Sequence, residues 1–265
     1  MNTNVNLEAA LGVLGFLGAC AVLLVICLVA AHALFTKRTA RLRMALVAAA
    51  GWVMIYLAAM LVFSFASSEK VLARGEEKHF CEIDCHLAYA VTDVQRTKTL
   101  GLSNNQATAK GVFYVVIVRT RFDEQTIGKG RGDGLLTPNS RVVTIRDVQG
   151  RSYNTSPEAM KAIELAQSSG TPIWTPLRPG ESYTTTFVFD LPENIENPTL
   201  LINEDELVTH FVIGHENSLL HKKVLFRLDE TPKQVAVNKL SQTLSGRMMG
   251  VVSAVLRRLK GYGDH

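Results

Sequence analysis

Thr36-Lys37-Arg38-Thr39-Ala40-Arg41-Leu42-Arg43 packs four positive charges into eight residues, and the sequence on either side of it sets the architecture. Upstream, residues 9–35 hold no Asp, Glu, Lys or Arg across 27 positions; downstream, residues 44–67 hold none across 24. A helix needs about 20 apolar residues to cross the hydrocarbon core of a bilayer. Each run therefore predicts a transmembrane helix, and the basic stretch predicts the turn of a hairpin. A cleaved signal peptide would have a basic start, a shorter apolar stretch and a small-residue cleavage site. Residues 1–8 carry no Lys or Arg and the first run is too long, so the expectation is a retained span. Short loops rich in Lys and Arg stay in the cytoplasm. That rule puts the N-terminus and everything beyond residue 68 outside, in the periplasm of a bacterial inner membrane.

Both spans are rich in small residues: Gly12, Gly15, Gly18 and Ala19 in the first, and Ala48, Ala49, Ala50 and Gly51 in the second. Small residues let helix backbones approach closely, either to each other or to helices of a larger complex. His32 is the one ionisable imidazole within the spans. Intramembrane ionisable groups are functional suspects, and a neutral imidazole could ligate the metal of a haem or chlorophyll. It stands one turn from the basic end, where it also reaches water. Cys20 and Cys27 are seven apart and share a helix face, as small buried hydrophobes commonly do.

Most of the excess in the 47% apolar content lies in the first 66 residues, and the remainder reads as an ordinary globular chain. A net charge of +4 without a long basic block or an aromatic-interleaved basic stripe argues against nucleic-acid binding. Residues 69–230 are long enough for one buried core. Gly111-Val112-Phe113-Tyr114-Val115-Val116-Ile117-Val118-Arg119-Thr120-Arg121-Phe122 is β-branched and aromatic, which predicts a central strand. Residues 141–147 alternate and are followed by a turn and Ser152-Tyr153, which predicts a hairpin. Ser156-Pro157-Glu158 predicts a short helix to about Gln167, with Ser as cap and Pro at the first position. Leu177-Arg178-Pro179-Gly180-Glu181 predicts a turn. Further strands are expected over 183–191, 199–202, 207–213 and 223–228. Many short strands with one helical insertion predict an all-β sandwich.

The span from Gly111 to Leu228 resembles the telokin-like, immunoglobulin-fold extracytoplasmic domains of uncharacterised bacterial membrane proteins and lipoproteins. The resemblance rests on Gly111-Val112-Phe113-Tyr114-Val115-Val116, Leu177-Arg178-Pro179-Gly180-Glu181-Ser182 and Phe187-Val188-Phe189-Asp190-Leu191-Pro192. It implies an immunoglobulin-like sandwich and says almost nothing about function.

The densest chemistry is His79-Phe80-Cys81-Glu82-Ile83-Asp84-Cys85-His86, with Gly214-His215-Glu216-Asn217-Ser218-Leu219-Leu220-His221 as a second cluster. Cys81, Cys85, His86, His215 and His221 together would suit a soft transition metal such as copper or zinc. The overall architecture is similar to that of cytochrome c oxidase subunit II, which has two spans and an extracytoplasmic cupredoxin sandwich. That family's binuclear copper loop reads Cys-x3-Cys-x3-His-x2-Met. Cys81 and Cys85 match its start, but Tyr89 and Thr92 stand at the His and Met positions, and the motif falls before the domain rather than late in it. The alternative for Cys81 and Cys85 is a disulfide, favoured by an oxidising compartment. It requires a turn between them, because four strand positions span about 13 Å and a disulfide about 6 Å. His215-Glu216 lacks the second His that a zinc hydrolase places four residues on, since Leu219 is there. No phosphate loop, dinucleotide fingerprint or Gly-x-Ser-x-Gly elbow occurs.

Residues 231–265 predict a basic amphipathic helix. Val237, Leu240, Leu244, Met248, Val251, Val255 and Leu259 fall at spacings of three and four and form one apolar stripe suited to docking on a partner or membrane. The expectation is a non-enzymatic accessory subunit without a cofactor. It would dock on integral membrane subunits of a larger complex, with respiratory and photosynthetic assemblies among the candidates. A metal-binding or electron-transfer protein is the alternative.

Overall fold

A computed structural model describes residues 9–80, 86–102, 104–127 and 130–229. Helix α1 (Ala9–Phe35) and helix α2 (Thr39–Ala66) form the antiparallel pair, and both are long and apolar enough to cross a membrane. Helix α2 begins five residues earlier than the uncharged run, so Arg41 and Arg43 ride on its first turns. A charge ends an apolar run, but it does not end a helix whose backbone bonds are intact. Lys37 and Arg38 make the turn, Lys37 with a left-handed φ of 53°. The Trp52 indole N–H donates to the Ala19 carbonyl at 3.1 Å, tying the two helices at mid-length.

Two sheets follow. The first is ordered β1-β9-β8-β5-β6, from β1 (Lys70–Leu72), β5 (Arg141–Arg146), β6 (Ser152–Tyr153), β8 (Thr199–Glu204) and β9 (Val224–Arg227). The second is ordered β2-β3-β4-β7, from β2 (Lys78–Phe80), β3 (Leu87–Leu100), β4 (Ala107–Phe122) and β7 (Ser182–Leu191). Strand β1 runs parallel to β9, and the other described pairings are antiparallel. Tyr89, Tyr114, Phe122, Ile145, Phe189, Leu200, Ile202 and Phe226 fill the space between the sheets. Alternating strands place one face inward, and burying that face is the main driving force for the sandwich.

Strand β4 is central, as its composition predicts. Its 14-residue partner β3 was not expected, because Thr92, Asp93, Gln95, Arg96, Thr97 and Lys98 interrupt the apolar pattern. Those residues lie on the outer half of β3, where pairing with β4 holds the strand. The hairpin of β5 and β6 forms as predicted. Helix α3 (Pro157–Leu165) has Ser156 as its cap, accepting from the Ala159 amide at 3.3 Å. It buries Ala159 and Ile163 against Phe113, Val115 and Val188, closing the outer face of the second sheet.

Residues 207–213 are not a strand. Leu207–Phe211 is a 3-10 turn inside a long loop between β8 and β9. Its apolar, β-branched composition suits a strand, but no strand edge receives it; it turns toward the helical hairpin instead. The amphipathic helix expected over 231–265, with its stripe Leu240, Leu244, Met248, Val251, Val255 and Leu259, lies outside the described residues.

Candidate functional site

The loop over residues 205–223 joins the sandwich to the hairpin. The Tyr56 hydroxyl of α2 donates to the Phe211 carbonyl at 2.6 Å. The Lys222 amide donates to the Ser67 hydroxyl at 2.9 Å, just past the end of α2. Gly12 of α1 is buried, and a β-carbon there would sit 2.7 Å from the Ile213 carbonyl oxygen and 3.2 Å from Val212 Cγ1. Gly12 is thus the close approach between α1 and this loop. Among the described residues, nothing lies within 4 Å of a β-carbon placed at Gly15, Gly18 or Gly51.

A buried ionic network holds the loop on the sandwich side. Lys78 on β2 is 1% exposed. Its ammonium donates to Glu216 at 2.8 Å, to the Ile202 carbonyl at 2.7 Å and to the Val224 carbonyl at 3.3 Å. A strand of the second sheet thereby grips both the loop and the first sheet. Glu216 also accepts from the Val224 amide at 3.1 Å. Arg141 on β5 pairs with Glu204 on β8, directly opposite in register, at 2.9 Å. The Arg141 guanidinium lies 4.2 Å from the Phe80 ring centroid and 5.7 Å from that of Tyr89, a cation–π contact between the sheets. His215 accepts from the Asn217 amide through Nδ1 at 3.0 Å, which leaves the proton on Nε2, 3.3 Å from the second Glu204 oxygen. Asn217 donates to the Glu204 carbonyl and to the Thr209 hydroxyl, both at 3.0 Å.

Burial lowers the Lys78 ammonium below the usual lysine range, and Glu216 opposes that shift. Burial also pushes Lys223 down from 10.5 to about 8. The direction of the pH effect follows. Between a folded value near 8 and the ordinary value, the unfolded chain binds the proton that the folded chain has lost, so stability rises with pH across that window. Tyr183, pushed from 10.0 up to about 12 by burial, reverses the trend above its ordinary value, where the unfolded chain sheds its phenolic proton first. Thermal melts of the full chain in micelles, followed by near-UV circular dichroism, should show the midpoint rising from about pH 8 to about pH 10 and falling beyond. Lys223→Met should flatten the rise; a midpoint that falls over this window would contradict the assignment.

A second network lies where β2 and β4 end. Arg121 grips Glu77 with Nε at 2.9 Å and Nη2 at 2.7 Å, and Arg119 adds a contact at 3.0 Å. Asp123 takes Arg121 at 3.2 Å and His79 at 3.1 Å. Burial raises the Asp123 carboxyl, but hydrogen bonds from His79, the Gln125 amide and Arg121 outweigh it and hold the group below the usual carboxylate range.

The histidines singled out as metal ligands occupy separate settings. His86 stacks on Phe122, with ring centroids 5.3 Å apart, and shares a 2.5 Å hydrogen bond with the Thr126 hydroxyl. His215 belongs to the Glu204 network. His221 Nδ1 faces the Lys222 carbonyl at 2.9 Å, and burial lowers its pKa. Among the described residues no three His, Cys, Asp or Glu side chains come together as a metal-ligand group. Cys81 and Cys85, the expected disulfide pair and first two ligands of the metal alternative, lie outside the described residues. Cys20 and Cys27 are free thiols on the outer surface of α1, and His32 is exposed in its last turn.

Sequence reading quoted Glu216 only as part of a polar cluster with His215 and missed Lys78, Arg141 and Glu204. Nothing local marks them, because their burial depends on which strands face each other.

No family model matches the chain, and no curated protein matches it. Solved structures similar in part include the three that follow. A conserved hypothetical protein from Bacillus anthracis is 14% identical, covering 51% of this chain and 91% of its own, with a TM-score of 0.37. The secreted protein MPT63 from Mycobacterium tuberculosis is 11% identical, covering 59% and 97%, with a TM-score of 0.36. The yjhA protein from Bacillus subtilis is 16% identical, covering 59% and 98%, also at 0.36. The immunoglobulin label and the oxidase-subunit architecture stay resemblances of sequence.

Proposed function

We propose that this chain is a non-enzymatic, membrane-anchored accessory subunit whose two spans and extracytoplasmic sandwich dock on a larger integral membrane complex. The carrying observation is how the hairpin divides its small residues. Gly12 is consumed by the sandwich loop, while Gly15, Gly18 and Gly51 meet no described residue and would let another helix approach closely. The bonds of Tyr56 and Ser67 to that loop fix the face relative to the sandwich, so both would meet one partner together. Lys37, Arg38, Arg41 and Arg43 support a cytoplasmic turn, and hence an inner-membrane protein with its N-terminus and sandwich in the periplasm. The parallel pairing of β1 with β9 at a sheet edge supports an immunoglobulin-like sandwich.

A photo-crosslinking residue at Gly15 or Gly18, irradiated in native membranes, should give one discrete adduct with an integral membrane protein. Leu placed at the other glycine should abolish it. Adducts with lipid alone, unchanged by that Leu, would sink the reading.

A further inference from the structure

We infer that the loop between β8 and β9 is a second membrane-contacting element, dipping the apolar side chains of Leu207, Val208 and Phe211 into the acyl chains of the outer leaflet beside the spans. The inference rests on the reading that α1 and α2 cross the membrane. Leu207 is 74% exposed, Val208 55% and Phe211 48%, and Leu219 and Leu220 are exposed at the far end of the same loop. Such a cluster on the water-soluble part of a protein marks a contact surface.

Depth along α2 selects the occupant. Arg43 is the last charge at the turn end of α2, and about 30 Å of helix from there ends near residue 63. Tyr56 lies about 10 Å below that level at ~1.5 Å per residue. Because Tyr56 holds the Phe211 carbonyl, the loop tip sits beside the span at a depth where lipid is the surrounding medium. Gly12, near the outer end of α1, meets Ile213 and marks the shallower side of the same loop.

Backbone in hydrocarbon must have its polar groups satisfied, and four backbone groups at and beside the tip have partners. Phe211 O is taken by Tyr56, and Val212 O by the Ser218 hydroxyl and the His215 amide. The Thr209 and Val212 amides bond back to Glu206 and Thr209 carbonyls. Leu220 adopts a left-handed φ of 60°, uncommon for a side chain of its kind. It lies two residues before Lys222, whose amide meets Ser67 at the end of α2, so Leu219 and Leu220 mark the shallower edge of the contact. Asp205 and Glu206 precede the apolar tip and His210 lies within it, and these polar groups confine insertion to the outer leaflet.

Indole quenching by brominated lipids tests this on the full chain, reconstituted alone into phosphatidylcholine vesicles. With Trp174→Phe, the remaining Trp52 reports on the span. With Trp52→Phe and Trp174→Phe together, Leu207→Trp or Phe211→Trp reports on the loop, and using two positions guards against one variant misfolding. The expected result is loss of emission for Trp52 and for both loop indoles, the loop being quenched more by bromine near the headgroup end of the chain than by bromine at mid-chain. Quenched Trp52 with unquenched loop indoles would overturn the inference while leaving the spans in place, and would reserve the loop for a protein partner. Unquenched Trp52 would overturn the spanning reading and the inference with it.

Discussion

Glu216→Ala destabilises the sandwich by about 3–5 kcal/mol, the cost of leaving a buried charge without its partner. Lys78 has no route to water, and its three described hydrogen bonds go to Glu216 and to the carbonyls of Ile202 and Val224. Two carbonyl dipoles cannot replace a carboxylate at 2.8 Å. The Val224 amide loses its acceptor at the same time, so the first residue of β9 and the loop before it loosen together. Removing both charges behaves differently: Lys78→Met with Glu216→Leu should recover most of the loss, because a well-packed apolar pair avoids desolvating two ions. Urea unfolding of the full chain in micelles, followed by near-UV circular dichroism, measures both. If Glu216→Ala cost no more than about 1 kcal/mol, the pair would be behaving as an exposed one, and the buried network would be wrong.

Gly111→Ala has the next largest effect, about 3 kcal/mol, at the upper end of overpacking costs. A β-carbon at residue 111 would lie 1.9 Å from the Leu191 carbonyl oxygen, 2.8 Å from its carbon and 3.1 Å from Pro192 Cα. All three are backbone, so no rotamer change relieves the clash, and β4 and β7 must separate at this end of their pairing. The separation also pulls Asp190 off the amides of Lys110 and Gly111, which it accepts at 2.8 and 3.0 Å. Gly134→Ala is the matched control. Its nearest neighbour would be the end of the Arg131 side chain at 3.3 Å, which can move. Equal unfolding midpoints for the two variants would refute the close-approach argument.

These two sites show why some features were legible in the sequence and others were not. Gly111 and Asp190 belong to two of the three quoted segments that carried the resemblance, and the structure supplies their physical link: a carboxylate capping the amides of Lys110 and Gly111 where β4 and β7 approach too closely for a β-carbon. A motif of this kind is readable before its geometry is known. Lys78, Arg141 and Glu204 are not. A lysine or glutamate in sequence reads as solvated surface, and each becomes interior only when the two sheets close over it. Strand β3 was missed because its polar half is stabilised by pairing with β4 rather than by its own pattern. Residues 207–213 were misread because apolar, β-branched composition records that a segment seeks an apolar medium, not which one.

The sequence by itself determined the two long apolar helices, the basic turn between them, the central strand β4, the β5–β6 hairpin and the capped helix α3. Each follows from local chemistry: charge placement, side-chain period, or a cap and a proline within one turn. The tertiary structure alone decided which sheet each strand entered, which charges were buried, and where the loop between β8 and β9 turned its apolar face. Those outcomes depend on contacts between residues more than a hundred positions apart, such as Lys78 with Glu216 and Tyr56 with Phe211. No local pattern encodes a partner at that distance. The small residues of α1 show both sides of the division: the sequence marked Gly12, Gly15 and Gly18 as alike, and only the packed fold set Gly12 against the sandwich and left the other two open.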